Sequence, residues 1–424
     1  MASIYIEIYG CSNSQAEAEM MAGLLKQAGF KIVDSDKKAD LIIIVTCYVK
    51  TPTEQKILFR IKELSQKKLI IAGCMPEGIY NKLIDIAPRA TLLSTHHIKE
   101  VVQAVEKTLE GKRVEYRGES NEIKLCLPKI RRNPVIDIVP ISSGCNSHCY
   151  YCCVRLAKGK LFSYPREMIV KEIESSLMEG CKEIWLTAQD TASYGLDKGT
   201  KLPELLKDVS NIQGKFFVRV GMMNLKNVIP IASDIVKAFK SEKIYKFIHL
   251  PIQSGSDNVI ASMNRAYKIS QFEEVVKMFR DSFKCQVWTD VIVGYPTEKE
   301  EDFLKTLEII KKIKPDWVNV SKFGVRPGTE AVKLKPLPTN VVKERSRIIS
   351  ELVRKTSLEK NNEWIGWKGE ILVSERGSQP NQWIGRNFAY KPVLVESNND
   401  LLGKFLRVKI ENANHSHLSG ESLI

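Results

Sequence analysis

The first 110 residues alternate short apolar runs with segments of helical periodicity. The apolar runs are IYIEIY, LIIIV and LIIAG, and the helical segments between them are AEAEMMAGLLKQAG and PTEQKILFRIKEL. Strands separated by helices in this way are typical of βαβ units with parallel strands. The pattern predicts an α/β fold that begins with an open parallel sheet domain over residues 1–110.

A second α/β series follows a polar, basic segment over residues 111–133, which we interpret as a linker. Six predicted strands begin at Pro134, and they are PVIDIVPIS, KEIWLTA, FFVRVG, KFIHLP, CQVWTDVIVG and DWVNVSKF. A complete eight-unit (β/α) barrel takes roughly 250 residues, which is more than this series offers. Residues 134–335 are therefore predicted to form a partial (β/α)6 barrel.

The end of the chain changes to a helix followed by β-structure. Residues 336–363 predict a connecting helix, and residues 364–424 contain the strand-like runs GEILVSE, NFAYKPVLVES and GKFLRVKIENA, separated by Gly and Asn. Short strands with such turns predict a small antiparallel β-barrel.

Composition narrows the functional class. The sequence has 424 residues, shows no signal peptide pattern and has no apolar run that could span a bilayer, so we expect a cytoplasmic protein. The 64 Lys and Arg exceed the 50 Asp and Glu by 14, which favours a polyanionic partner or, alternatively, a solvated lysine-rich surface. Ten cysteines in such a chain point to metal-binding or catalytic thiolates rather than disulfides.

The motif SSGCNSHCYYC places three cysteines directly after the first barrel strand. Cys145, Cys149 and Cys152 form a C-x3-C-x2-C loop. A 4Fe-4S cluster normally takes four thiolates, so three leave one iron open to a ligand. The alternative is a zinc site, for which His148 or Cys153 could supply a fourth ligand.

Three further cysteines each follow an apolar run of the N-terminal domain: Cys11, Cys47 and Cys74. The carboxyl ends of parallel strands meet at one edge of a sheet, so these thiols can come together as a second metal site. Taken singly, each would more often be a buried thiol at a strand end.

The C-x3-C-x2-C spacing resembles that of the radical S-adenosylmethionine superfamily, and other segments resemble its methylthiotransferase family in the family's order. Those segments are YGCSNSQAEAE, VTCYVKTPTEQK, IIAGCMPE, HLPIQSGSDNVIASMNRAY, TDVIVGYPTEKEEDF and FGVRPGT. The resemblance implies a 4Fe-4S cluster on each cysteine triad and S-adenosylmethionine as radical source and methyl donor. Beyond the clusters, no catalytic residue is assigned.

Two positions depart from the usual family pattern without touching the metal ligands. Ser14, beside Asn13, stands where the family usually has Asn, and Arg155 stands where bacterial members favour Pro. Arg155 points to the archaeal and eukaryotic subgroup. That resemblance implies methylthiolation at C2 of N6-threonylcarbamoyladenosine at tRNA position 37.

Seven residues around the barrel are candidates for binding S-adenosylmethionine: Tyr151, Gln189, Asp190, Gln253, Ser254, Arg265 and Gly294. Arg265 suits the cofactor carboxylate because its planar fork matches that group, and Gly294 would let the backbone approach an adenine edge. Helix capping by Asp190, a capping turn at Gln253 and Ser254, a salt bridge of Arg265 and a tight turn at Gly294 are the alternatives. Arg326 is a weaker candidate for substrate contact.

The C-terminal segment from Trp364 resembles the TRAM module, a small RNA-binding β-barrel. Its candidate RNA-binding residues are Arg386, Tyr390, Lys391 and Arg407, with the core of the barrel as the alternative for the aromatic ring. We expect tRNA as the partner, a flavodoxin- or ferredoxin-like electron donor, an unidentified sulfur donor, no membrane association and a monomer.

Four alternatives remain open at this point. Related enzymes that act on isopentenyladenosine in tRNA or on a ribosomal protein would keep the same cysteines. A radical enzyme with a cobalamin-binding N-terminal domain would not need Cys11, Cys47 and Cys74. An RNA-binding protein with a structural metal is the non-enzymatic alternative.

Overall fold

The computed structural model describes residues 1–423, and its first domain is a six-stranded, fully parallel sheet with the order β2-β1-β3-β4-β5-β6. Every residue of β3 and β4 is buried, which explains their continuous apolar runs. The elements are β1 (Ser3–Ile8), α1 (Ser12–Gln27), β2 (Lys31–Val33), β3 (Leu41–Thr46), α2 (Thr51–Leu64), β4 (Leu69–Gly73), α3 (Tyr80–Ile86), β5 (Thr91–Ser94), α4 (Val101–Leu109) and β6 (Glu115–Tyr116).

The second domain is an open barrel built from two three-stranded parallel sheets, β11-β10-β7 and β12-β13-β14. A bridge between Val218 and Ile244 joins them, so the predicted six-stranded partial barrel is confirmed. Its strands are β7 (Ile136–Pro140), β8 (Ser142–Ser143), β9 (Phe162–Ser163), β10 (Glu183–Thr187), β11 (Phe217–Val220), β12 (Phe247–His249), β13 (Gln286–Val293) and β14 (Trp317–Lys322). Its helices are α5 (Val154–Lys158), α6 (Arg166–Met178), α7 (Leu202–Asn211), α8 (Leu225–Val228), α9 (Ala232–Ala238), α10 (Asp257–Ser262), α11 (Ile269–Ser282) and α12 (Glu300–Ile313).

The third domain is a closed five-stranded barrel with the order β15-β16-β17-β19-β18, reached through the long helix α13 (Thr339–Asn362). Its strands are β15 (Lys368–Arg376), β16 (Gln382–Asn387), β17 (Pro392–Glu396), β18 (Phe405–Ala413) and β19 (Leu418–Ser422). The small β-barrel is thus confirmed, with a parallel β17–β19 pair among antiparallel neighbours. Within residues 1–423, no helix is long and apolar enough to cross a membrane.

The three domains are joined by buried polar contacts. In the segment interpreted as a linker, Lys129 donates to Asp137 of β7 at 3.0 Å and Arg131 donates to the same carboxylate at 2.9 Å. At the other end of the molecule, Lys391 pairs with Asp316 at 2.7 Å, and both side chains are only 2% exposed. These contacts fix the segment 111–133 and the C-terminal barrel against the central domain, and the Arg132 N–H donates to Glu19 of α1 at 3.1 Å, which ties the same segment to the N-terminal domain.

Candidate functional site

The loop that follows β7 and β8 brings Cys145, Cys149 and Cys152 together. The Cys145 N–H donates to the Gly159 carbonyl at 3.2 Å, and the Cys152 N–H donates to the Cys149 carbonyl at 3.1 Å, so the loop is held closed at both ends. Burial raises the pKa of the Cys152 thiol to about 12, and negative charge on Cys149 and Cys145 adds to the rise. The three thiols therefore lie near one another in a poorly solvated place, where binding a metal would favour their thiolate forms.

The geometry argues against zinc as the metal of this loop. Among residues 1–423, no three His, Cys, Asp or Glu side chains converge closely enough to bind a single ion. The two candidate fourth ligands are engaged elsewhere, because His148 contacts the Arg155 guanidinium and Cys153 donates to the Tyr48 carbonyl at 3.6 Å. All ten cysteines, which lie within the described residues, are free thiols. A cluster that takes one thiolate at each of three irons fits this donor set better.

Arg265 lines a small cavity beside Cys149 and is hydrogen-bonded to Tyr151. The Arg265 guanidinium donates to the Tyr151 hydroxyl at 2.8 Å and to Asn224 Oδ1 at 2.9 Å, and it lies 3.9 Å from Cys149 Sγ. The cavity is lined by Ser147, His148, Cys149, Asn224, Lys226, Asn264, Arg265 and Ala266. Arg265 Nε is buried without a hydrogen-bond partner among the described residues. A carboxylate bound in this cavity would lie against the Arg265 guanidinium, the group that the sequence predicts for the cofactor carboxylate.

Gln189 and Asp190 follow β10 at the same edge of the barrel but differ in what they can bind. Gln189 Oε1 is buried and finds no donor among residues 1–423, which fits a site completed by a bound group. Asp190 instead accepts from the Asn224 N–H at 2.8 Å, from Asn227 Nδ2 at 2.6 Å and from the Ala192 N–H at 3.1 Å. Burial raises the pKa of Asp190 to about 6 despite these donors. Asp190 therefore positions Asn224, and its assignment to the cofactor stays a prediction.

Gln253, Ser254 and Gly294 also have roles in the protein framework. Gln253 has φ +65° and pairs through its backbone with β13, and Ser254 is fully buried with its hydroxyl 3.5 Å from Thr306 Oγ1 on α12. A Cβ added to Gly294 would lie 2.5 Å from the Val342 side chain of α13. The space beside Gly294 is filled by that helix, and the assignments of Gly294 to adenine and of Ser254 to the cofactor stay predictions.

The second triad lies where β1, β3 and β4 end. Cys11 caps α1 after β1, Cys47 follows β3 and Cys74 follows β4. Gly10 brings the first two together, because it has φ +127° and an added Cβ would lie 2.7 Å from Cys47 Cβ. Burial raises the pKa of Cys74 to about 12, and charges on Cys11 and Cys47 contribute to the rise. The edge of the sheet therefore gathers these three thiols as a second candidate metal site.

A buried ion cluster beside this second triad was missed in the sequence. Lys124 and Lys158 both donate to Glu17 Oε1, at 2.8 and 3.0 Å, and Thr95 donates to the same oxygen at 2.5 Å. Burial would raise the pKa of Glu17, but the two lysines lower it to about 2. Burial lowers the pKa of Lys158, but negative charge on Cys74 and Glu17 outweighs it, so the pKa is raised. The signal available in the sequence was the segment AEAEMMAG, in which Glu17 lies between alanines just before an apolar run.

The two cysteine loops meet across the domain boundary. Lys158 ends α5, directly after the Cys152 loop, and its ammonium reaches the N-terminal domain. The Cys153 thiol donates a hydrogen bond to the carbonyl of Tyr48, the residue after Cys47. Ser12 Oγ, next to Cys11, lies 3.1 Å from Thr187 Oγ1 at the end of β10. Arg326 pairs with Glu54 of α2 at 2.5 Å, so it joins the domains rather than facing a substrate. Both triads consequently face the carboxyl ends of the barrel strands.

The candidate RNA-binding residues of the last domain differ in their exposure to solvent. Tyr390 and Lys391 are buried, with 3% and 1% of the whole residue exposed. Their loop packs onto the lower end of the central barrel, where the barrel strands begin. Arg386 is paired with Glu375 at 2.7 Å and lies over the Tyr390 ring. These three residues stabilise a domain interface in this structure, and their assignment to RNA binding stays a prediction. Arg407 is exposed, as is Lys404 near it in the sequence, and both remain available to a phosphate backbone.

Family models match the three domains in order. Residues 3–94 match the uncharacterized protein family UPF0004, residues 139–310 match the radical SAM superfamily and residues 365–423 match the TRAM domain. Each range lies within one of the three domains predicted from the sequence. The chain is therefore a radical S-adenosylmethionine enzyme that carries an additional N-terminal domain and a C-terminal TRAM domain.

Full-length relatives define the family more closely. A protein of Methanothermobacter thermautotrophicus named "Probable threonylcarbamoyladenosine tRNA methylthiotransferase" is 42% identical over 98% of both chains, and its namesake in Pyrococcus horikoshii is 41% identical over 99% of both. A Xenopus laevis protein with the name threonylcarbamoyladenosine tRNA methylthiotransferase is 35% identical over 99% of this chain and 76% of its own length. The chain belongs to the threonylcarbamoyladenosine tRNA methylthiotransferase family.

Solved structures share the fold at low sequence identity. The radical S-adenosylmethionine methyltransferase TsrM of Kitasatospora setae, with cobalamin and a [4Fe-4S] cluster bound, matches with a TM-score of 0.57 and 13% identity over 78% of this chain and 74% of its own. The cobalamin-dependent enzyme OxsB matches with a TM-score of 0.55 and 10% identity over 84% of this chain and 56% of its own. These similarities confirm the radical S-adenosylmethionine fold and nothing finer.

Proposed function

We propose that this protein is a tRNA methylthiotransferase that replaces the C2 hydrogen of N6-threonylcarbamoyladenosine at position 37 by a methylthio group. The observation that carries the proposal is the placement of two cysteine triads at one edge of the barrel, linked through Cys153 and Lys158. The names of the full-length archaeal and animal relatives support the choice of base. Radical formation and sulfur transfer need separate metal centres close to one substrate, and this arrangement offers two.

In this proposal, Cys145, Cys149 and Cys152 hold one 4Fe-4S cluster and leave its fourth iron open. Arg265 Nε and Gln189 Oε1, both buried without partners among the described residues, are suited to the carboxylate and amino groups of S-adenosylmethionine. When bound, the cluster supplies the electron that cleaves the cofactor to a 5′-deoxyadenosyl radical. The residues of this chain bind and orient the cofactor and keep water away from it.

Cys11, Cys47 and Cys74 hold the second cluster, which we assign to the sulfur that is transferred. Glu17, Lys124 and Lys158 lie beside it with side chains at most 5% exposed, and the raised pKa of Lys158 keeps its ammonium charged. A fixed positive charge of this kind favours thiolates and an anionic cluster in a buried place. The adenine base must leave the anticodon stack to reach this edge of the barrel.

The proposal is tested with anaerobically reconstituted protein, S-adenosylmethionine, a reductant and tRNA that carries threonylcarbamoyladenosine. Digestion of the tRNA and mass spectrometry of its nucleosides should reveal the 2-methylthio derivative. The matched substrate is the same tRNA with isopentenyladenosine at position 37, which should remain unmodified. Methylthiolation of the isopentenyl substrate alone, or of a ribosomal protein alone, would contradict the proposal.

A further inference from the structure

The interior of the central barrel is lined by polar and aromatic side chains from alternate strand positions. On β10 and β11, Ile184, Leu186, Val218 and Val220 are buried in the core beneath the helices. The intervening residues Trp185 and Arg219, which pair in register, project to the opposite face and are only partly buried. Alternation along a strand places them inside the barrel. This interior therefore differs from a packed apolar core.

Arg219 is a charged residue of this interior that forms no ion pair with any described residue. Its guanidinium lies over the rings of Trp185, Phe247 and Tyr390, at 5.1, 5.3 and 5.4 Å. Among residues 1–423 it makes neither a hydrogen bond nor an ion pair, and its Nε is buried without a partner. Arg386 offers the comparison, because it lies over the same Tyr390 ring but pairs with Glu375. A guanidinium held in an aromatic setting without an anion is costly unless a ligand supplies one.

A polar network lies one layer nearer the cysteine loops. Asp290 accepts from His249 Nε2 at 2.9 Å and from Asn319 Nδ2 at 2.7 Å, yet its side chain is 28% exposed. His249 follows Phe247 by two residues on β12, so this layer lies roughly 7 Å above that of Arg219. Asp290 can accept a further hydrogen bond from a hydroxyl or an N–H group. The barrel thus presents an acceptor near its mouth and an unpaired cation deeper inside.

We propose that Arg219 binds the carboxylate of an amino acid that is attached to the target base, while Asp290 accepts a hydrogen bond from a hydroxyl or N–H group of the same amino acid. This inference rests on the proposed function and deepens it. A threonylcarbamoyl group carries a carboxylate, a hydroxyl and N–H groups, and it matches both layers. An isopentenyl group is apolar and would leave Arg219 without an anion, so the same residue would exclude that substrate.

The test compares two synthetic anticodon stem-loop RNAs that differ in one functional group. One carries N6-threonylcarbamoyladenosine, and the other carries its threonine amide, which is neutral at the same position. Wild-type enzyme should methylthiolate the carboxylate RNA with a kcat/KM about 10- to 100-fold higher, because a hydrogen-bonded ion pair contributes roughly 1.5–3 kcal/mol. Arg219→Gln should lower the rate on the carboxylate RNA and reduce the ratio to near one. Arg219→Lys should keep part of the ratio.

A fall in the ratio of the two kcat/KM values distinguishes a role in carboxylate binding from damage to the fold. A merely structural role of Arg219 would lower both rates equally and leave the ratio unchanged. Arg347→Gln is the matched control, because that arginine is exposed on α13 and pairs with Glu344 and Glu351. Equal wild-type rates on the two RNAs, or an unchanged ratio in Arg219→Gln, would overturn the carboxylate site alone. Absence of methylthio product from both RNAs with the wild-type enzyme would reject the proposed function itself, and the inference with it.

Discussion

Single residues determine how closely the cysteine loops can approach. Gly10 has a positive φ and lies against Cys47, so any side chain there would push the Cys11 turn away from the end of β3. Arg265 and Gln189 each carry a buried polar atom without a partner among the described residues. Such atoms are uncommon in folded proteins, and these two lie at the edge of the barrel that carries the Cys145 loop.

Gly10→Ala should therefore remove the N-terminal cluster selectively. The iron content of reconstituted protein should fall from about eight to about four per chain, since one of two four-iron clusters is lost. Gly29→Ala is the matched control, because Gly29 also has a positive φ, +90°, but has no atom within 4 Å of an added Cβ. Unchanged iron in Gly10→Ala, or equal iron loss in both variants, would contradict this account of the second triad.

At the scale of secondary-structure elements, α1, α5 and the segment over residues 111–133 meet at one carboxylate. Glu17 comes from α1, Lys158 from α5 and Lys124 from the intervening segment. A buried pair that loses one partner leaves an uncompensated charge, which is strongly destabilising. The cluster consequently couples the packing of the two domains to the position of both cysteine loops.

Glu17→Gln should lower the free energy of unfolding of the metal-free protein by about 3 kcal/mol, because two buried lysines lose their counter-charge. The double variant Glu17→Gln with Lys158→Met should recover part of that loss. The folded-state pKa of Glu17 is lowered from 4.5 to about 2. Its contribution to the free energy of unfolding is therefore fully present above pH 4.5 and is lost as the pH falls toward 2. Urea titrations should show the deficit of Glu17→Gln shrinking over that window. A deficit below 0.5 kcal/mol at neutral pH, roughly that of an ordinary surface change, would contradict the prediction.

At the scale of the whole molecule, the C-terminal barrel serves two purposes with different residues. Its loop around Tyr390 and Lys391 closes the lower end of the central barrel, next to Arg219. Its strand β18 presents Arg407 to solvent, with Lys404 just before it. RNA attraction is then expected from the exposed residues, while the buried ones hold the domain in place.

The double variant Lys404→Gln with Arg407→Gln should weaken tRNA binding and lower the slope of log affinity against log salt by roughly 1 to 2, since each lost phosphate contact contributes up to about 0.9. Arg347→Gln should leave the slope unchanged, because that arginine already pairs with two glutamates. Filter binding or fluorescence anisotropy at several salt concentrations measures both. An unaltered slope in the double variant would place the RNA surface elsewhere.

The sequence predicts the three domains and both cysteine triads because their signals are local. Apolar runs identify strands, and a cysteine after each run identifies a common sheet edge. The ion cluster joins Glu17 to Lys124 and Lys158, more than 100 positions away, so the local pattern around Glu17 does not reveal its partners. The burial of Tyr390 and Lys391 was likewise invisible, because a basic and aromatic loop has the same composition whether it faces RNA or another domain.

In the proposed function, one triad makes the radical and the other supplies the sulfur. The most direct measurement is the ratio of methylthiolated nucleoside to 5′-deoxyadenosine formed by the variant in which Cys11, Cys47 and Cys74 are all replaced by Ala. We expect that 5′-deoxyadenosine still accumulates while the ratio falls to zero. Formation of methylthiolated nucleoside by this variant at the wild-type ratio would contradict it.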